Sequence, residues 1–247
     1  MTEPVRSPAG QLIARVHSVS DLPAALDALA VGRDRPVLVL VGGAGRMSHE
    51  HLGRVAEVLA SQVVPVMGRL GAAVVDGATD SGVMRMMGEA RSAAGADFPL
   101  VGVAAEGTVS AYPAATRAKA ANIEPHHSHV ILVPGDSWGD ESPWLANVAA
   151  VVAGTSPSAT LVLNGGEITY DDINRSLERR RPVVVLAGTG RTADAIATAT
   201  GHVGEDLRAR QIASSPLTRI VSIDDGPALA ATLESILGRS PEVVTDG

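Results

Sequence analysis

Six short turns concentrate the polar chemistry of this chain: GGAGRMS (42–48), DGATDSG (76–82), AAEG (104–107), PGDSWGDES (134–142), NGGEIT (164–169) and AGTGRT (187–192). All contain glycine, which lets backbone amides come close to a ligand, and amides at a strand-to-helix turn suit a phosphate. Two of the turns nearly match the dinucleotide spacing G-x-G-x-x-G/A. Gly43-Ala44-Gly45-Arg46-Met47-Ser48 ends in serine, whereas Gly188-Thr189-Gly190-Arg191-Thr192-Ala193 fits the relaxed form. Each sets an arginine just past its glycines. Gly42, Gly43, Gly45 and Arg46, with Gly188, Thr189, Gly190 and Arg191, are therefore candidate contacts for a phosphate or pyrophosphate. A solvated arginine is the bland alternative at both places.

DGATDSG asks for a different partner. Its Asp76 and Asp80 would repel a phosphate, so they suit ribose hydroxyls or the capping of turns and helices. Gly77, Thr79, Ser81 and Gly82 add amides and hydroxyls around them, and Glu106 is a further acid at a strand end. The stretch GDSWGDESPW (135–144) holds both tryptophans together with Asp136, Asp140 and Glu141. Such acids could hold Mg²⁺, accept ribose hydroxyls or cap turns. Trp138 is the candidate stacking face for a base, while Trp144, at a helix start, is expected in the core. His127 and His129 would share one face of a strand as two metal ligands do. No third ligand has diagnostic spacing, so no metal site is assigned. No Walker A lysine is present.

The elements that would position these turns follow from periodicity. Short Val/Leu-rich runs alternate with helical patterns about seven times: 35–41, 72–78, 99–107, 129–136, 159–166, 182–190 and 218–225. Leu52, Val55, Leu59, Val63, Val66 and Leu70 recur at spacings of three and four, predicting a helix over 49–70 capped by Ser48 and kinked at Pro65. Other helices are expected over 82–94, from Pro143 with Ser142 as cap, over 170–181, after 190, and to about 238. Strands this apolar are buried on both faces. The alternation predicts an α/β, Rossmann-like, doubly wound and mostly parallel sheet of about seven strands with helices on both faces; an eight-fold barrel is the rival. QLIARVHS (11–18) is a candidate edge strand. A single domain over 11–239 is expected, with loose ends at 1–10 and 240–247. AYPAATRAKAANIEP (111–125) is the longest irregular stretch. In such a sheet the turns listed first converge on one edge, where ligands bind.

Composition narrows the classes. The 247 residues are 45% hydrophobic and 19% charged, with a net charge of −7 and no cysteine. There is no basic run for nucleic acid, no thiolate chemistry, no signal-like leader and no apolar stretch of membrane-spanning length. A cytoplasmic protein with a small-molecule partner, without nucleic acid or membrane insertion and compatible with a homo-oligomer, is the expectation.

Read together, DGATDSGVMRMMGEA, VGVAAEG, EPHHSHVILVPGD, NGGEITYDDI and PVVVLAGTGRTADAIA occur in the order found in the SLOG superfamily. They most resemble its LSDAT branch, the cytosolic N-terminal domain of melastatin-type TRP channels and its free-standing prokaryotic relatives. The resemblance spans roughly residues 35 to 225. It implies a Rossmann-like fold and a pocket for a nucleotide-derived, ADP-ribose-like ligand, bound or sensed rather than turned over. The wider superfamily includes the LOG enzymes, which hydrolyse an N-glycosidic bond, and this is the alternative activity. Their P-G-G-x-G-T-x-x-E motif resembles Asn164 through Asp172, with Asn164 for the proline, Ile168 for the third glycine and Asp172 at the catalytic glutamate position. The likeness implies phosphate contacts from Asn164, Gly165, Gly166 and Thr169, and a catalytic role for Asp172. A structural module and a nicotinamide oxidoreductase are further alternatives; the latter would use Asp76 for ribose hydroxyls.

Overall fold

The computed structural model describes residues 3–45, 47–110, 120–199 and 206–238. Arg46, most of the irregular 111–125 stretch and the 240–247 tail therefore lie outside the described residues.

Two short strands, β1 (Val5–Arg6) and β2 (Leu12–Arg15), precede helix α1 (Leu22–Ala28). Next come β3 (Val37–Gly42), α2 (His49–Val58), a π-helical turn (Leu59–Val63), α3 (Val64–Leu70), β4 (Ala73–Asp76) and α4 (Gly82–Ala93). The chain continues through β5 (Leu100–Ala105), the minor strands β6 (Val109–Ser110) and β7 (Ala121–Asn122), β8 (His129–Val133) and α5 (Ser142–Ala153). It ends with β9 (Ser158–Leu163), α6 (Glu167–Glu178), β10 (Val183–Ala187), α7 (Arg191–Thr198), α8 (Leu207–Ala213), β11 (Thr218–Ser222) and α9 (Gly226–Leu237).

The main sheet has nine strands in the order β1-β2-β8-β5-β4-β3-β9-β10-β11. Only β1–β2 is antiparallel; all the other pairs are parallel. The sheet is open, so the barrel is excluded. All seven expected strands are in it, and the candidate edge strand adds β2. Val5 and Arg6, expected to be loose, pair with Ile13 and Leu12.

Side chains alternate between two apolar layers with the period of a strand. Val37, Val39 and Val41 of β3 pack with α1, α5 and α6 on one face. Leu38 and Leu40 pack with α2, α3, α4 and α9 on the other. Helices on both faces satisfy the need of an all-parallel core to be dry on each side. The expected 49–70 helix is continuous but contains the π turn just before Pro65. Proline offers no N–H to the preceding turn, and the wider turn absorbs that loss. Ser48 caps α2 by accepting the His51 amide. Helix α6 starts at Glu167, three residues earlier than expected, and α8 was not anticipated. No described helix is long and apolar enough to cross a membrane.

From β3 the chain builds outward through β4, β5 and β8, then returns through α5 to β9 beside β3 and builds outward the other way. The carboxyl ends of β3 and β9 thus flank the topological switch point, where open α/β sheets form a crevice. Gly42 makes that join possible. It has φ +136, and any Cβ there would overlap the Leu163 carbonyl oxygen.

Candidate functional site

The crevice opens into a cavity of about 360 Å³. Gly42, Gly43, Gly77, Thr79, Trp138, Gly165, Gly166, Thr169, Asp172 and Arg191 all reach its wall. All six glycine turns are expected to converge on one edge; five of them supply residues to this wall, AGTGRT through Arg191, and AAEG supplies none.

One end carries a cation and a helix start. Arg191, the first residue of α7, lies in the left-handed region at φ +48, an unfavourable conformation for a side-chain-bearing residue. Ideal Cβ atoms on Gly45 and on Gly166 would each lie 3.0 Å from its guanidinium nitrogens, so glycine at both positions leaves it room. Among the described residues the guanidinium has no hydrogen bond and no ion pair. Beside it starts α6, capped by Gly166. Thr169 Oγ1 accepts the Gly166 amide at 3.0 Å. Thr169 thus shapes the turn, while the first-turn amides of Glu167 and Ile168 have no intrahelical acceptor and remain donors. Glu167 would repel an anion here, but Arg208 takes its carboxylate at 2.7 Å and holds its pKa down. Arg208 is itself seated 4.2 Å over the Tyr170 ring.

The other end is acidic. Asp172 lies on the second turn of α6, and its Oδ1 is shut off from solvent without a hydrogen-bond partner. Burial pushes its carboxyl up to about 7, with Glu141 and Asp171 adding to the rise and Ser142 and Arg175 opposing it. The Ser142 hydroxyl opposes the rise by a side-chain hydrogen-bond interaction with the carboxyl that falls outside strict hydrogen-bond geometry. Glu141, also on the cavity wall, is raised chiefly by burial while accepting the Gly139 amide at 3.0 Å. Trp138 stands above them, 54% exposed.

Several expected contacts are committed elsewhere. Asp76 is fully buried and away from the cavity wall: its Oδ1 takes His127 Nε2 at 2.7 Å and the Ala78 amide at 2.8 Å. A ribose contact from Asp76 is therefore not what the geometry offers. His127 Nδ1 donates to Glu124 Oε2 at 2.8 Å, and His126 Nδ1 reaches the other Glu124 oxygen. Burial alone would lower the His127 pKa, but the two carboxylates outweigh it and raise it to about 9. His129, half-buried and held down to about 4, meets Ser128 instead of His127. Asp80 pairs with Arg85 at 2.7 Å, and Glu106 pairs with Arg15 at 3.0 Å. Ser81 contacts Thr79, and Gly82, at φ +57, packs against the Gly43-Ala44 backbone. Asp136 accepts the Ser137 hydroxyl in an exposed turn.

Asn164, Gly188, Thr189 and Gly190 line a neighbouring cavity of about 340 Å³ that shares Arg191 with the first. Thr189 Oγ1 is used up between the Asn164 amide and the Leu186 carbonyl. Asn164, at φ +53, donates to the Gly45 carbonyl at 3.2 Å. Glu141, one of the three acids of the 135–144 stretch, and Met84 also belong to the main cavity. The signal for Glu141 was there, since it closes the same strand-end turn as Trp138.

A family model described as SLOG in TRPM, prokaryote, matches residues 35–232. No curated protein matches. Among solved structures, the X-ray structure of TM1055, a structural genomics target, is 17% identical over 80% of this chain and 99% of that chain, with a TM-score of 0.49.

Proposed function

The chain belongs to the family described as SLOG in TRPM, prokaryote, and from that premise we propose that it binds a phosphate-bearing nucleotide derivative, ADP-ribose-like in class, at the switch-point crevice. The observation that carries this reading is Arg191. A guanidinium with no hydrogen bond or ion pair among the described residues, given room by two glycines beside two helix N-termini, suits an anion. The phosphate then lies against Arg191 and the Glu167 and Ile168 amides, and the nucleoside extends toward Gly43, Gly77 and Trp138. ADP-ribose and AMP should raise the melting temperature of the protein. Arg191→Ala should weaken binding about ten- to hundredfold, the loss typical of a hydrogen bond to a charged group. Unchanged affinity in that variant would overturn the reading.

Asp172 favours a second reading, cleavage of the N-glycosidic bond of such a ligand. With Asp172 near 7 and Glu141 raised beside it, one carboxyl can protonate the leaving base while the other takes a proton from the water attacking the anomeric carbon. The C–N bond breaks, a C–O bond forms, and the products are the free base and the ribose phosphate. Chromatography of the same incubations separates the two readings: intact ligand supports binding alone, and free base supports hydrolysis.

A further inference from the structure

The cavity is polarised along α6. Six residues separate Gly166 from Asp172, about 9 Å along a helix axis, and the two ends differ in chemistry. At the Gly166 end stand Arg191 and the open amides of α6. At the Asp172 end stand two carboxyls and an indole on one wall. The Glu141 charge opposes ionisation of Asp172, and among the described residues neither Asp172 nor Glu141 has an ion pair. Arg175, one turn along α6, makes none with Asp172 either. Two carboxyls on one wall repel each other when both are ionised, and a ligand cation would offset that repulsion. Trp138 offers an exposed aromatic face on the same wall, the surface to which a flat cation is drawn.

We propose that this end of the cavity selects a cationic aromatic ring, so that the preferred ligand is a nucleoside phosphate of the pyridinium type rather than one with a neutral base. The inference rests on the nucleotide reading above and names the class of base for that same site. Ribose hydroxyls could satisfy one carboxyl by donating to it, but only a positive charge lets two adjacent carboxyls ionise together. Ring and phosphate then carry opposite charges that match the two ends of the crevice.

The test uses two probes of nearly the same shape: nicotinamide mononucleotide, whose ring is a pyridinium, and its reduced dihydropyridine form, whose ring is neutral. Calorimetric titration should show the pyridinium form binding at least about tenfold more tightly. Trp138→Leu and Asp172→Asn should each shrink that ratio severalfold, weakening the pyridinium form more than the neutral one. Equal or weaker binding of the pyridinium form overturns the inference, as does a ratio that survives both substitutions. In those cases continued dependence of the neutral form on Arg191 leaves the nucleotide reading standing. If neither form binds, and AMP does not either, both fall together.

Discussion

At the scale of single residues, the site sets a cation with no hydrogen bond or ion pair among the described residues against a desolvated acid, and both are testable in the free protein. Asp172 has its pKa raised from 3.8 to about 7, first by burial and then by Glu141 and Asp171. The folded state therefore holds that proton more tightly than the unfolded chain. The resulting stability is fully present below about pH 4 and is lost as pH rises through 7. Asp172→Asn keeps the side chain uncharged, so its stability relative to the parent should grow between pH 4 and pH 8, by at most about 4 kcal/mol. Urea midpoints at the two pH values measure this, and a constant difference would mean that Asp172 is not desolvated. Arg191 was legible in the sequence because it follows a glycine motif. Asp172 was reached only through a resemblance, since an acid inside a helix has no local signature of a ligand site. Asp76 misled because a strand-end acid in a glycine turn has the same local sequence whether it meets a ribose or a buried histidine fifty-one residues away.

At the scale of elements, that histidine ties the sheet together under the ligand turns. His127, just before β8, bridges Asp76 at the end of β4 and Glu124, and Glu124 donates its amide to the Ala78 carbonyl. Gly88 of α4 is where a Cβ would overlap the Glu124 carboxylate, and Gly102 of β5 is where one would overlap Ala78. The turn from Gly77 to Thr79 thus rests on a buried charge network. Burial opposes the charge on His127, but the carboxylates raise its pKa from 6.5 to about 9. Its contribution to stability is complete below about pH 6.5 and is lost as pH rises through about 9. His127→Gln should cost about 3–5 kcal/mol at pH 6, the loss seen when one partner of a buried charge pair is removed. The gap from the parent should narrow at pH 10. Denaturant titrations at both pH values check it, and a gap that does not change with pH would show His127 to be neutral in the fold. The strands and most helices were legible because alternation and three-four spacing are local properties. The π turn and α8 were not, since the first answers a proline within a longer periodic run and the second spans only seven residues.

At the scale of the whole molecule, strand order converts scattered turns into one site. The reversal at β3 and β9 brings Gly42, Gly77, Gly166 and Arg191 to one edge, although up to 149 residues separate them in the chain. Sequence alternation gave the parallel class directly. It could not give the order of strands, and so it could not divide the glycine turns between the main cavity and its neighbour around Gly188 and Thr189. The central claim is that an anion belongs at Arg191 and the start of α6. A crystal structure of the protein with bound AMP tests it most directly. The account predicts phosphate oxygens within hydrogen-bond distance of the Arg191 guanidinium and the Glu167 and Ile168 amides. A phosphate seated away from Arg191, or beside Asp172 and Glu141, would contradict it.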